Sequence, residues 1–309
     1  MTTSAYRGRL APSPTGKLHL GTARTSLVAW LAARAAGGSL VLRIEDLDPP
    51  RVVAGAADAL LDDLRWLGLD WDEGPDVGGA HAPYRQSQRS ARYDAALAVL
   101  QRAGHLFSCT CTRAEVQVAS SAPHGDLGPR YPGTCRQRPQ RPDRPASRRF
   151  RMRSGDPFVD RLYGAQPASE GDDFVVQRAD GLYAYQLAVV VDDVAMAITE
   201  VVRGADLLTS TPRQIALYRA LGAEPPAFVH VPLVLGRDRQ RLAKRDRATA
   251  IADYRAAQLA PERVVGWLAA SLGLAHEGEL VRPHDLVRRF ELQRVPLEPV
   301  VLHGELMPR

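Results

Sequence analysis

The sequence predicts an α/β fold, a largely parallel sheet covered by helices and cut by an insertion. Three observations lead there. Apolar runs from Tyr6 to Leu10, Leu40 to Ile44 and Phe228 to Leu235 read as strands, with helical stripes between them. Turn formers and acids gather where those runs end, as at Glu45-Asp46 and at Pro12, Pro14 and Gly16. Between about Ser108 and Glu170 the composition shifts to Pro, Gly and Arg with little apolar periodicity, as expected of a segment inserted between two halves of the sheet.

Taken in order, the Tyr6 to Leu10 run opens into a turn and then a helix from Leu20 to Ala36, which carries Leu27, Val28, Leu31 and Ala35 and is stopped by Gly37-Gly38. A helix that starts straight after a strand turns its free N–H groups toward the turn and favours an anion there. Pro12 and Pro14 stiffen the turn, Gly16 permits a tight bend, and Gly21 leaves room for something flat. His19 lies at the helix start, where its ring can face whatever the helix holds. The Leu40 to Ile44 strand reads as buried on both faces and ends at Glu45, the edge where ligands gather in open parallel sheets.

Helices are expected from Val53 to Leu67, closed by Gly68, and from Arg89 to Ala103, closed by Gly104. The insertion carries short strands at Arg148 to Arg153 and Pro157 to Tyr163. After it come Asp173 to Arg178, a turn at Ala179-Asp180-Gly181, a strand from Tyr185 to Val191, and an apolar run from Ala195 to Val202. Ser210 or Thr211 caps the next helix, with Pro212 near its first position and Gly222 past its end. Short amphipathic helices at Glu262 to Leu272 and His284 to Phe290 and a loose tail complete the chain.

Composition limits the function classes. With 309 residues, 45% apolar and 24% charged, the chain is globular, and no apolar run is long enough to span a bilayer. The first residues lack a hydrophobic signal core, so the expected compartment is the cytoplasm, without membrane contact. Three cysteines, Cys109, Cys111 and Cys135, are too few and too clustered for a disulfide framework. All three fall in the insertion, which lacks a good core and would gain from a metal staple. Tyr131 and His124 compete for the fourth position around such an ion. Nine arginines and one acid lie between Arg130 and Arg153; a solvated face is the common reason for such a run, a polyanionic partner the sharper one.

The stretch from Leu10 to Arg24, with its His19-Leu20-Gly21-Thr22 tetrad, resembles the ATP-binding turn of class I aminoacyl-tRNA synthetases in their glutamyl form. Arg241-Leu242-Ala243-Lys244-Arg245 is similar to the second signature of that family, Lys-Leu-Ser-Lys-Arg, with Arg and Ala at two of its positions. Arg241 keeps the charge of the lysine but is forked, and Ala243 lacks the hydroxyl. The loop from Leu69 to Arg89 also resembles glutamyl-tRNA synthetases. The resemblance implies a Rossmann-like catalytic domain in two halves, 1–107 and 171–240, an inserted zinc-binding, acceptor-like subdomain at 108–170, and an ATP loop with a short helical, stem-contacting region at 241–309. It implies His19 and Lys244 as catalytic residues and His19, Gly21 and Lys244 as ATP contacts, with Mg²⁺ accompanying ATP. Glutamate contacts fall on Arg9, Leu10, Ala11, Pro12, Ser13, Glu45, Tyr185 and Arg203.

The spacing from Tyr131 to Cys135 is similar to that of a truncated branch of the family that uses a tyrosine ligand, which makes Cys109, Cys111, Tyr131 and Cys135 the implied set for one structural Zn²⁺. Sixty-five residues follow Lys244, fewer than a stem-contacting region and a helical anticodon-binding domain require together. The truncated branch activates glutamate without tRNA and transfers it to queuosine in the anticodon of tRNA(Asp). A monomer that docks its catalytic body on the anticodon loop is the corresponding expectation. A shortened glutamyl-tRNA synthetase acting on a 3′ end, and an inactive tRNA-binding module, are the alternatives.

Overall fold

The computed structural model describes residues 5–119, 130–136, 141–236, 238–240 and 250–302. Strand β1 (Arg7–Leu10) and strand β2 (Ser39–Leu42) pair in parallel, Arg7 opposite Ser39 through Leu10 opposite Leu42. Helix α1 (Leu20–Ala35) makes the crossover between them and buries Leu20, Leu27, Val28 and Leu31. Helix α2 (Ala56–Trp66) follows the Glu45 end of the sheet and buries Ala57, Leu60, Leu61 and Leu64. Gly68 then takes φ +79°, the left-handed conformation that ends a helix at low cost. Helix α3 (Ser90–Arg102) packs through Tyr93, Leu97 and Leu100.

The inserted stretch builds small antiparallel pieces. Strand β3 (Leu106–Cys109), helix α4 (Arg113–Ala119) and strand β4 (Ser147–Phe150) come first. Strands β5 (Ser154–Gly155), β6 (Phe158–Asp160), β7 (Gly164–Gln166), β8 (Ser169–Glu170) and β9 (Phe174–Gln177) follow. β3, β4 and β9 form one sheet, β5 pairs with β8, and β6 with β7 makes a hairpin.

Helix α5 (Tyr185–Ala195) then leads to strand β10 (Glu200–Gly204), helix α6 (Thr211–Ala220) and strand β11 (Ala227–Val231). β10 and β11 are parallel, and β6 joins the outer edge of β11 where Asp160 faces Phe228. β10 lies beside β1, tied by the Thr199 amide donating to the Arg7 carbonyl at 2.9 Å. Strand β12 (Val234–Leu235), helices α7 (Ile251–Ala256), α8 (Pro261–Ala270) and α9 (Pro283–Leu286), and strand β13 (Val300–Val301), parallel to β12, complete the described chain.

Alternating side chains show the sheet covered on both faces. Leu40, Leu42, Val202, Val229 and Val231 belong to the core under α1, α2 and α8. Val41, Val201 and Phe228 belong to the core under α3, α5 and α6. This is a helix–sheet–helix sandwich with strands buried on both sides.

One expectation fails outright. Tyr185 to Val191 is helical, not a strand. Leu187 through Val191 are all buried, and in an element buried nearly all round the apolar run alone does not distinguish helix from strand. The helical turn carries Asp192 and Asp193 inward onto Arg43, just past β2, and Arg89, just before α3, a tertiary gain that outweighs the strand preference of three valines. The Phe228 to Leu235 run divides into β11 and β12 around Pro232, which has no N–H for a ladder. The Ala195 to Val202 run turns at Ala197 and becomes a strand only from Glu200.

Candidate active site

The carboxyl ends of β1, β2 and β10, the start of α1 and the first turn of α5 surround one cavity of about 780 Å³. Its wall includes Arg9 and Leu10 from β1, then Ala11, Pro12 and Ser13 from the turn. His19 and Gly21 come from the start of α1, Glu45 from the end of β2, Tyr185 from α5 and Arg203 from β10. Every site residue expected from the sequence, apart from Lys244 and the metal set, thus meets in one cleft. Lys244, with Arg241 and Ala243, lies outside the described residues. The backbone returns from that segment beside the turn, where Ala250 bridges to His19 and the Ile251 amide donates to the Leu18 carbonyl at 2.8 Å.

Gly16 takes φ +151°, which a side chain would disfavour, so the tight bend is real. A Cβ built on Gly21 would meet only Val234, at 3.8 Å, so this glycine leaves space to the cavity and not to a protein neighbour. Tyr185 leaves 37% of its surface open, facing the cavity.

Two buried arginines, Arg9 and Arg203, line the cleft, and a third, Arg43, lies buried behind it. Arg43 donates to Asp193 Oδ1 at 2.7 Å and to Glu45 Oε1 at 3.1 Å, with Asp192 3.8 Å away. Arg9 Nη1 donates to the Val202 carbonyl at 2.8 Å, and its Nε lies 3.7 Å from Asp193. Asp192 also accepts from Arg89, Gln86 and Tyr93. Burial pushes the Glu45 carboxyl above its usual range, against the pull of Arg43 and Arg9. Arg203 differs from the others. Its partners are His230 Nε2 at 3.0 Å, Gln214 Oε1 at 2.6 Å and Thr211 Oγ1 at 2.8 Å, all neutral acceptors. Burial accordingly pulls its pKa down.

Sequence reasoning missed Arg43, Asp192, Asp193 and His230. The available signal was a polar or charged residue inside an otherwise apolar run, at Arg43 and again at His230, since such residues need buried partners.

In the insertion, Cys109, Cys111 and Cys135 bring their Sγ atoms within 4.8 Å of one another. Cys111 and Cys135 Sγ are 3.5 Å apart, and the Tyr131 hydroxyl lies 3.4 Å from Cys109 Sγ. A tetrahedral ion with metal–sulfur bonds of about 2.3 Å needs sulfur separations of about 3.8 Å. The three sulfurs, with the Tyr131 hydroxyl beside Cys109, lie close enough together for such an ion with small adjustment; His124 lies outside the described residues. Four arginines of the basic run are already engaged: Arg130 with Glu170, Arg136 with Asp173, and both Arg141 and Arg144 with Glu115. Among the described residues, Arg148, Arg149, Arg151 and Arg153 make no ion pair, and Arg149 lies over the Tyr131 ring, so the surface left for a polyanion is narrower than the run implies. No helix among them is long and apolar enough to cross a membrane.

Comparison with known proteins agrees with this cleft. Residues 5–305 match the family described as tRNA synthetases class I (E and Q), catalytic domain. The chain is 54% identical to the glutamyl-Q tRNA(Asp) synthetase of Symbiobacterium thermophilum, over 96% of each chain. It is 46% identical to a glutamate–tRNA ligase of an Anaeromyxobacter species, over 97% of this chain but 65% of the ligase. Among solved structures, a glutamate tRNA ligase of Elizabethkingia meningosepticum in complex with its amino acid superposes with a TM-score of 0.85 at 29% identity, covering 98% of this chain and 68% of that one. The chain belongs to the class I (E and Q) tRNA synthetases, within the group of the glutamyl-Q tRNA(Asp) synthetases.

Proposed function

We propose that this enzyme activates glutamate with ATP and transfers it to queuosine in the anticodon of tRNA(Asp). The observation that carries the proposal is the match along 96% of both chains to a relative named for that reaction, where the glutamate–tRNA ligase extends well beyond the match. The latter difference disfavours charging of a 3′ end. An inactive binding module is disfavoured by the cavity, which keeps its buried cations and acid together.

In this account a carboxylate oxygen of glutamate attacks the α-phosphorus of ATP, and the bond to pyrophosphate breaks. Mg²⁺ bound with the nucleotide neutralises phosphate charge. The start of α1, with His19 and Gly21, receives the nucleotide, and Lys244 stabilises charge on the departing pyrophosphate. Arg203 and Arg9 face the substrate carboxylates and Glu45 its ammonium group, while Leu10, Ala11, Pro12, Ser13 and Tyr185 line the amino-acid site. A hydroxyl of the queuosine cyclopentenediol then attacks the carbonyl of the adenylate, and AMP leaves.

Cys109, Cys111, Tyr131 and Cys135 are proposed to hold one structural Zn²⁺, a closed site without a reacting water. The insertion, 108–170, is proposed to meet the anticodon loop through arginines not already paired, with the catalytic halves at 1–107 and 171–240, and 241–309 as ATP loop and helical region. A cytoplasmic monomer completes the proposal. Glutamate-dependent exchange of pyrophosphate into ATP without tRNA tests the first step; no exchange under any metal condition would leave a binding module as the better account.

A further inference from the structure

Arg203 is a guanidinium only 5% exposed whose hydrogen-bond partners all lack charge. Arg43, buried behind the cleft wall, is compensated by Asp193 and Glu45. A buried cation among neutral acceptors keeps its full attraction for an incoming anion, provided something fixes its direction.

That something is His230. It is fully buried on β11, and its Nδ1 lies 2.7 Å from Asp160 Oδ2, to which the His230 backbone amide also donates at 3.1 Å. Asp160 Oδ1 accepts from the amides of Leu162 and Tyr163 at 3.0 and 2.8 Å. Three backbone N–H groups thus converge on the Asp160 carboxylate as acceptor, and Nδ1, facing the same oxygen, is the ring nitrogen that carries the proton. Nε2 is then the lone-pair nitrogen and accepts from Arg203 Nε–H at 3.0 Å. Thr211 Oγ1, 3.2 Å from the same nitrogen, and Gln214 hold the other edge of the guanidinium.

We infer that His230, with its tautomer set by Asp160, is a positioning residue that aims Arg203 at the substrate carboxylate without taking up its charge. A carboxylate placed directly against Arg203 would orient it equally well but would compete with the substrate. The Asp160–His230 relay keeps the acid one ring away. Asp160 belongs to the β6–β7 hairpin of the insertion, so the insertion contributes to the amino-acid site as well as to any RNA contact. This inference rests on the proposed activation of glutamate.

The test uses the full chain in ATP–pyrophosphate exchange. In His230→Gln the amide oxygen reaches the position of Nε2 and keeps the acceptor for Arg203. In His230→Asn the amide reaches only the Nδ1 position and keeps the contact to Asp160. The expected result is a glutamate KM raised roughly tenfold or more in His230→Asn, an ATP KM unchanged, and a glutamate KM within about threefold of wild type in His230→Gln. A purely structural role would not produce this split. Equal glutamate KM in wild type and His230→Asn, or equal losses in both variants, would overturn the inference. Should His230→Asn fail to fold, the ¹⁵N chemical shifts of the histidine ring in the wild-type protein decide: Nδ1–H is required, and Nε2–H overturns it. Failure of the glutamate assignment itself would appear as wild-type protein without glutamate-dependent exchange.

Discussion

Replacing Arg43 with methionine keeps most of the volume and removes the charge that holds three acids together. Arg43 is completely buried and donates at 2.7 Å to Asp193 and 3.1 Å to Glu45. After the change, Asp193 retains the Tyr218 hydroxyl at 3.3 Å and Arg9 at 3.7 Å, while Glu45 loses its donor. Breaking a buried ion pair from one side costs about 3–5 kcal/mol, because an uncompensated charge stays behind. For a chain of this size that lowers the melting temperature by roughly 5–8 °C. Urea unfolding followed by circular dichroism measures the loss. Adding Asp193→Asn removes one stranded charge, so the double variant is expected to be more stable than Arg43→Met alone. The glutamate KM is also expected to rise in Arg43→Met, since burial then acts on Glu45 with less opposition and disfavours its charged form further. A loss below about 1 kcal/mol with an unchanged KM would refute the coupling of this network to the cleft.

Lys244→Ala is expected to cut exchange by roughly an order of magnitude or more, as loss of charge stabilisation at the leaving group does; wild-type exchange in that variant would remove the residue from the mechanism. Elemental analysis of protein prepared without chelator is expected to find one Zn²⁺ per chain, and Cys135→Ser to release it while destabilising the insertion more than it slows exchange; metal-free wild-type protein, or retention of zinc after Cys135→Ser, would refute the site. The glutamate KM is expected to rise as pH falls through a window above the usual glutamic acid range, because Glu45 must be ionised to meet an ammonium group and its pKa is raised by burial. The same group acts in the opposite sense on stability: its neutral form favours the fold, and that contribution is lost as pH rises through the raised value. A glutamate KM flat with pH would contradict the role of Glu45.

The parts of the cleft that local rules govern were legible in the sequence. A strand, a turn stiffened by Pro12 and Pro14, and a helix beginning at Leu20 need only short-range signals, and they bring Arg9, Ser13 and His19 to one edge. Glu45 was legible because it ends a strand read as buried on both faces. Tyr185 was assigned to the cleft through the resemblance although its element was taken for a strand, and as the first residue of α5 it still reaches the cavity. What stayed hidden depends on partners far apart in the chain. Arg43 meets Asp193 across 150 positions, and His230 meets Asp160 across 70. No periodicity records such pairs. The same holds for the basic run, whose arginines read as available until their acids, Glu115, Asp173 and Glu170, come beside them in the fold.

The choice of acceptor is tested most directly by incubating the enzyme with ATP, labelled glutamate and two forms of tRNA(Asp), one with queuosine and one with guanosine at the wobble position. The account predicts label on the queuosine form alone, and retention of that label after the 3′-terminal nucleotide is removed. Equal labelling of both forms, or label lost with the 3′ nucleotide, would contradict it.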